Sequence, residues 1–142
     1  MNIAKIYNEI VKVYCAGKRI YVGEYEGFVG IAPNDYCIYL LAKTAIPFDV
    51  AKLLGNNRAS NIAKLIPQKR ERAQLVNELI QRERKIYRKV VGKSTEAWIE
   101  QKLLQNFDVD ATFEVATPKS LVLVYENEIL VGIVVPLVEN RS

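Results

Sequence analysis

Nine basic side chains fall between positions 69 and 93: Lys69, Arg70, Arg72, Arg82, Arg84, Lys85, Arg88, Lys89 and Lys93. Only three acids, Glu71, Glu78 and Glu83, dilute them, so the local surplus exceeds the whole chain's net +4. Positive charge concentrated in one segment attracts polyanions, and Lys and Arg are the groups that hold phosphates. At about 100° per residue, Val76, Leu79, Ile80, Tyr87 and Val90 share one helical face. Arg84, Lys85, Arg88 and Lys89 spread over the opposite half, with Arg82 at its border. These five predict a sequence-nonspecific nucleic-acid contact made by a basic helix. The competing expectation is a solvated helix face, where Lys and Arg also belong.

Catalytic chemistry has little to work with. The chain holds no histidine, which removes Ser-His and Cys-His nucleophiles, HExxH zinc sites and His-based acid–base work. Cys15 and Cys37 are the only cysteines, too few for a Cys₄ zinc site. They are expected as reduced thiols, with a disulfide between them left open. Neither GxxxxGK[ST] nor GxGxxG occurs; Gly23, Gly27 and Gly30 suit a turn and bends in strands instead. Glu83 falls in the middle of the apolar helical face, as a rim residue, an ion-pair partner or a buried acid. Asp108, Asp110 and Glu114 offer oxygen ligands to a divalent cation, yet an Asp just after a helix equally makes a turn. Tyr21, Tyr25 and Tyr39 stack bases if exposed, or are simply residues favoured in strands. The expectation is no catalytic set, no metal and no cofactor, hence a non-enzymatic protein.

These side chains are carried by a chain of 142 residues, half apolar and a quarter charged, the composition of one soluble globular domain. Ile3, Ile6, Tyr7, Ile10, Val11 and Tyr14 recur at helical spacing, and Gly17 is a natural stop. Residues 19–22, 27–32 and 36–42 read as strands, with a turn at Pro33-Asn34-Asp35. Two short helices are expected over 48–54 and 59–66, and a longer one from Lys69 to Val91. The alternative, which Glu83 on the apolar face suggests, is that this helix stops near Arg84 and residues 85–91 form a strand. Ser94 and Thr95 are suitable caps for a helix over 96–107. Strands follow near 111–116, 120–126 and 129–135, with Glu126-Asn127-Glu128 as the last tight turn.

A shift of 93 residues lays the two ends over one another. Ile6, Ile10, Val11 and Tyr14 fall on Ile99, Leu103, Leu104 and Phe107, and Trp98 replaces Lys5. Phe28, Val29 and Ile31 fall on Leu121, Val122 and Val124; Cys37, Ile38, Leu40 and Leu41 fall on Leu130, Val131, Ile133 and Val134. The match is one of apolar pattern rather than identity. It predicts an α+β fold: two pseudo-repeated helix–strand–strand–strand units with antiparallel sheets, residues 3–45 and 94–138, joined by a helical basic insert over 46–93, within a single domain 1–142. Strand 129–135 is apolar on both faces, so both must be covered. Either a second subunit packs on Leu130, Val131, Ile133 and Val134, giving a homo-oligomer or protein-partner module, or the insert folds back over them. Trp98 is an interface anchor in the first case. No apolar run is long enough for a membrane span and no signal peptide is visible, so a cytoplasmic location is expected.

The second unit resembles half of a DNA sliding-clamp domain. The likeness rests on the helix 96–107, the run "ATFEVATPKSLVLVYENEILVGIVVPL" from Ala111 to Leu137, and Pro136 closing the last strand. Clamp domains are internally duplicated, which the 93-residue shift parallels. The resemblance implies helices on one face of curved sheets, assembly into rings, and a basic surface facing DNA. It covers about 85 residues as a pattern and assigns no functional residue.

Overall fold

The computed structural model describes residues 1–42 and 62–138. Helix α1 (Ile3–Cys15) begins at Asn2, whose Oδ1 accepts the Lys5 amide at 3.2 Å. It stops at Gly17, which takes φ +71° without a Cβ penalty. Ile6 and Ile10, one turn apart, are fully buried. Strands β1 (Tyr21–Tyr25), β2 (Phe28–Ala32) and β3 (Cys37–Ala42) follow, close to the expected spans. Of the helix expected over 59–66, the described part holds one 3₁₀ turn, Ile62–Leu65. The helix expected over 48–54 lies outside the described residues.

The basic segment is not a helix. It forms β4 (Glu71–Arg82) and β5 (Lys85–Gly92), an antiparallel hairpin. Leu75 faces Val90 and Leu79 faces Arg88, so residues 76–78 bulge opposite Lys89. The bulge shifts the apolar phase of the strand. Leu75, Val76, Leu79 and Ile80 thereby fall at helical spacings on an extended backbone. Arg88 fills the bulge: its Nε donates to the Val76 carbonyl at 2.8 Å and its guanidinium to Asn77 Oδ1 at 2.9 Å. Glu83 (φ 50°) and Arg84 (φ 69°) make the turn, with two left-handed residues in succession as a type I′ hairpin needs.

The helix expected over 96–107 is likewise corrected. Glu96–Glu100 is strand β6, pairing with β5, and only Gln101–Leu104 is helical (α2). Strands β7 (Thr112–Val115), β8 (Val122–Glu126) and β9 (Ile129–Val134) complete the chain near their expected positions. All nine described strands join one antiparallel sheet, in the order β1-β2-β3-β9-β8-β7-β4-β5-β6.

The sheet curls strongly. Beyond β9, the Val135 amide still donates to the Tyr36 carbonyl at 2.8 Å, and the Leu137 amide then donates to the Trp98 carbonyl at 2.8 Å. Edge strand β6 thus meets the chain leaving β9, and this contact blunts an otherwise open edge. Inside the curl, Ile6 and Ile10 pack with Ile31, Tyr39, Ile99, Leu103, Phe107, Val122 and Val124. Leu40, Leu123 and Ile133 cover the other face together with Ile62 of the 3₁₀ turn. β9 is therefore apolar on both sides because both sides are packed within this chain: Val131, Ile133 and Val134 are buried and Leu130 is half-buried.

Register relates the two ends in part. The pairs Val29↔Leu41, Gly30↔Leu40 and Ile31↔Tyr39 move by 93 onto Val122↔Val134, Leu123↔Ile133 and Val124↔Gly132. β3 and β9 then pair antiparallel with Tyr39 opposite Gly132, two positions that the same shift relates. The β1–β2 ladder does not carry over: Val22 faces Ile31, whereas Phe113, not Val115, faces Val124.

Candidate nucleic-acid interface

Strand geometry redistributes the five expected contact residues. Lys85 and Lys89 alternate onto one face of the hairpin, and Arg82, paired with Lys85, joins them. Arg88 points to the opposite face and Arg84 sits in the turn. Arg82 and Arg84 are exposed. Lys89 is engaged by two carboxylates, Glu96 at 3.0 Å and Glu78 at 3.3 Å, and lies 5.6 Å over the Trp98 ring. Those carboxylates hold its pKa above the ordinary lysine value. Arg88, spent on the bulge, is a structural residue. Arg82 and Arg84 are the exposed cations of the hairpin tip, Arg82 also donating to the Gln81 carbonyl at 2.8 Å, and Lys85 is half-buried beside Glu100 and Tyr36.

Lys85 leads to a second group of cations. Its ammonium lies 4.1 Å over the Tyr36 ring and 4.0 Å from Glu100. Desolvation alone would lower its pKa, but the Glu100 charge and the Tyr36 hydroxyl outweigh it and hold the pKa above the usual value. Lys85, Tyr36 and Glu100 border a cleft of about 600 Å³ between α1 and α2. One wall is the α1 stripe Lys5, Asn8, Glu9 and Lys12; the other is Lys102 and Leu103 of α2. The spacing i, i+3, i+4, i+7 puts the α1 residues on one helical face. Four lysines from three elements thus converge with two acids, leaving the cleft net positive.

The cleft is built on hydrogen bonds. Asn34 Nδ2 donates to Glu9 at 2.6 Å, and Asn34 Oδ1 accepts the Tyr36 and Cys37 amides at 2.8 and 3.1 Å. This Asx turn fixes Tyr36 at the rim. Lys5 Nζ donates to Gln105 at 3.2 Å, and the Asn2 amide to the Asn106 carbonyl at 2.9 Å, tying α1 to the segment after α2. Asn106, also bordering the cleft, is buried, and its Nδ2 donates to the Tyr39 hydroxyl at 2.7 Å. Burial pushes the Tyr39 hydroxyl and the Cys37 thiol well above their ordinary pKa values. Tyr39 is therefore sealed in the core and cannot stack a base. Tyr25 is half-buried, and Tyr21 is exposed on edge strand β1, with the Arg19 guanidinium 5.9 Å over its ring.

The remaining candidates disperse. Glu83 is exposed in the hairpin turn, not on an apolar face. Asp108 takes the Met1 ammonium at 2.6 Å, which Glu126 also binds at 2.7 Å. Glu114 takes the Arg70 guanidinium at 2.8 Å. Asp108 and Glu114 thus face different partners, and no cluster of three or more suitable ligands occurs among the described residues. Cys15 and Cys37 are both free thiols. Sequence reasoning missed Lys5, Lys12, Lys102 and Tyr36. The polar α1 stripe was the available signal; nothing in the sequence joined it to Lys85 across some 75 residues.

No family model, no curated protein and no solved structure matches this chain. Among the described residues, no helix is long and apolar enough to cross a membrane.

Proposed function

We propose that this is a non-enzymatic protein that binds nucleic acid through its sugar-phosphate backbone, without sequence preference. The observation that carries the reading is the convergence of Lys5, Lys12, Lys85 and Lys102 on one cleft, with Arg82 and Arg84 exposed on the adjoining hairpin tip. Lysine ammoniums spaced along a groove follow a phosphate chain and read no base. The two halves are further read as products of one duplicated helix–strand–strand–strand unit. The shared β2–β3 and β8–β9 registers and the Tyr39↔Gly132 pairing support this. The sliding-clamp resemblance loses the helix 96–107 it rested on, which is strand β6 followed by the four-residue α2, and the cytoplasm is the proposed location. Self-assembly through strand 129–135 draws less support, since Val131, Ile133 and Val134 are already buried within the chain.

The test is fluorescence anisotropy with labelled DNA at ~50 and ~200 mM salt. Phosphate contacts from the four cleft lysines alone predict a loss of affinity of at least about fiftyfold for a single strand between those salts, and more if the tip arginines also engage. Binding that is absent at the lower salt, or indifferent to salt, overturns the proposal.

A further inference from the structure

We infer that the cleft between α1 and α2 is a site for single-stranded nucleic acid, in which an unpaired base stacks on Tyr36 while flanking phosphates meet Lys5, Lys12 and Lys102. The inference rests on the nucleic-acid reading above and narrows its ligand. Size comes first. A cleft of about 600 Å³ has the capacity of an ordinary small-ligand pocket, enough for one or two nucleotides. A duplex cannot enter such a space; a strand with splayed bases can.

Tyr36 supplies the second observation. The residue is 46% exposed. The Tyr36 amide donates to Asn34 Oδ1, and its carbonyl accepts the Val135 amide at 2.8 Å. The Lys85 ammonium, 4.1 Å from the centroid, occupies one side of the ring. The backbone is thus pinned on both sides, and one ring face is braced by a cation. An exposed aromatic of fixed position in a basic groove is a platform for base stacking, which tolerates any base because each has a π-face.

The test uses the full chain with a labelled oligothymidylate and a labelled duplex of equal length. Affinity is measured for wild type, Tyr36→Ala, Tyr36→Leu, Tyr36→Phe and the charge-reversed Lys5→Glu/Lys12→Glu/Lys102→Glu variant, with thermal melting as a check on folding. The expected result is a preference for the single strand. Tyr36→Ala and Tyr36→Leu should weaken it about five- to a hundredfold with an unchanged salt slope, and Tyr36→Phe should restore it. If charge reversal abolishes binding while Tyr36→Ala and Tyr36→Leu leave it intact, or if the duplex binds as tightly as the single strand, the stacking inference falls and the nucleic-acid reading stands. If neither probe binds wild type, both fall.

Discussion

Gly132 faces Tyr39 where β3 meets β9, and Phe107 lies directly over it. A Cβ at Gly132 would come within 2.5 Å of Phe107 Cζ, and the Phe107 and Tyr39 rings are 5.8 Å apart, so the ring has little room to retreat. Gly132→Ala should therefore cost about 1–3 kcal/mol in urea unfolding, as overpacking does. An unchanged midpoint would mean that the centre of the sheet is loosely packed. Glu114 makes a pH-dependent contribution. Burial alone would raise its pKa, but hydrogen bonds from Tyr125 and Arg70, with the charges of Arg70 and Arg72, outweigh that and lower it. A carboxylate with a depressed folded-state pKa stabilises above its unfolded value, and the gain is lost as pH falls through the folded value. Glu114→Gln should thus be less stable than wild type at pH 7, by up to about 1 kcal/mol. The gap should close as acid protonates the carboxylate; a gap that persists once Glu114 is protonated would assign the loss to packing.

At the scale of elements, the β4–β5 hairpin is where helical periodicity misleads, although the alternative strand over 85–91 matches β5. Its turn residues, Glu83 and Arg84, hold positive φ without glycine or asparagine. Glu83→Asn with Arg84→Gly should raise stability by about 1 kcal/mol, since both residues suit a type I′ turn. In a helix interior the same glycine would cost about 1 kcal/mol, so the sign of the change in a thermal melt decides between the two conformations. The misreading has identifiable causes. The bulge at 76–78 brought apolar residues to helical spacing, and Glu-Arg is no turn signal. Glu96–Glu100, which alternates inward and outward along β6, was joined to the short helix behind it because Ser94 and Thr95 look like caps. Ser94 instead donates its amide and hydroxyl to Glu71 Oε1, each at 2.9 Å, bracing the β5–β6 turn. By contrast α1, the Asn34 turn and strands β1–β3 and β7–β9 were legible, because their apolar patterns and their stops agree.

At the scale of the whole molecule, pairing between distant segments decides where the charge ends up. The expected basic stripe was local. The cleft instead needs α1, the hairpin and α2 brought together by the curl of the sheet, which no local pattern encodes. The 93-residue match breaks where new partners intervene: β7 pairs with β4, and Phe107 is buried whereas Tyr14, which the shift lays over it, is exposed. Removing the two tip charges with Arg82→Gln/Arg84→Gln should weaken DNA binding several-fold and flatten the salt dependence by about two contacts. It should leave the melting temperature nearly unchanged, because both side chains are exposed. No change in affinity would confine the interface to the cleft.

The most direct measurement is the affinity of Lys5→Glu/Lys12→Glu/Lys102→Glu for labelled single-stranded DNA, beside wild type, at ~50 and ~200 mM salt. Convergent lysines predict that wild type binds with a steep salt dependence, and that the variant, still folded, loses binding at both salts. A folded variant that binds as wild type does would contradict the assignment of the cleft as the phosphate-binding surface.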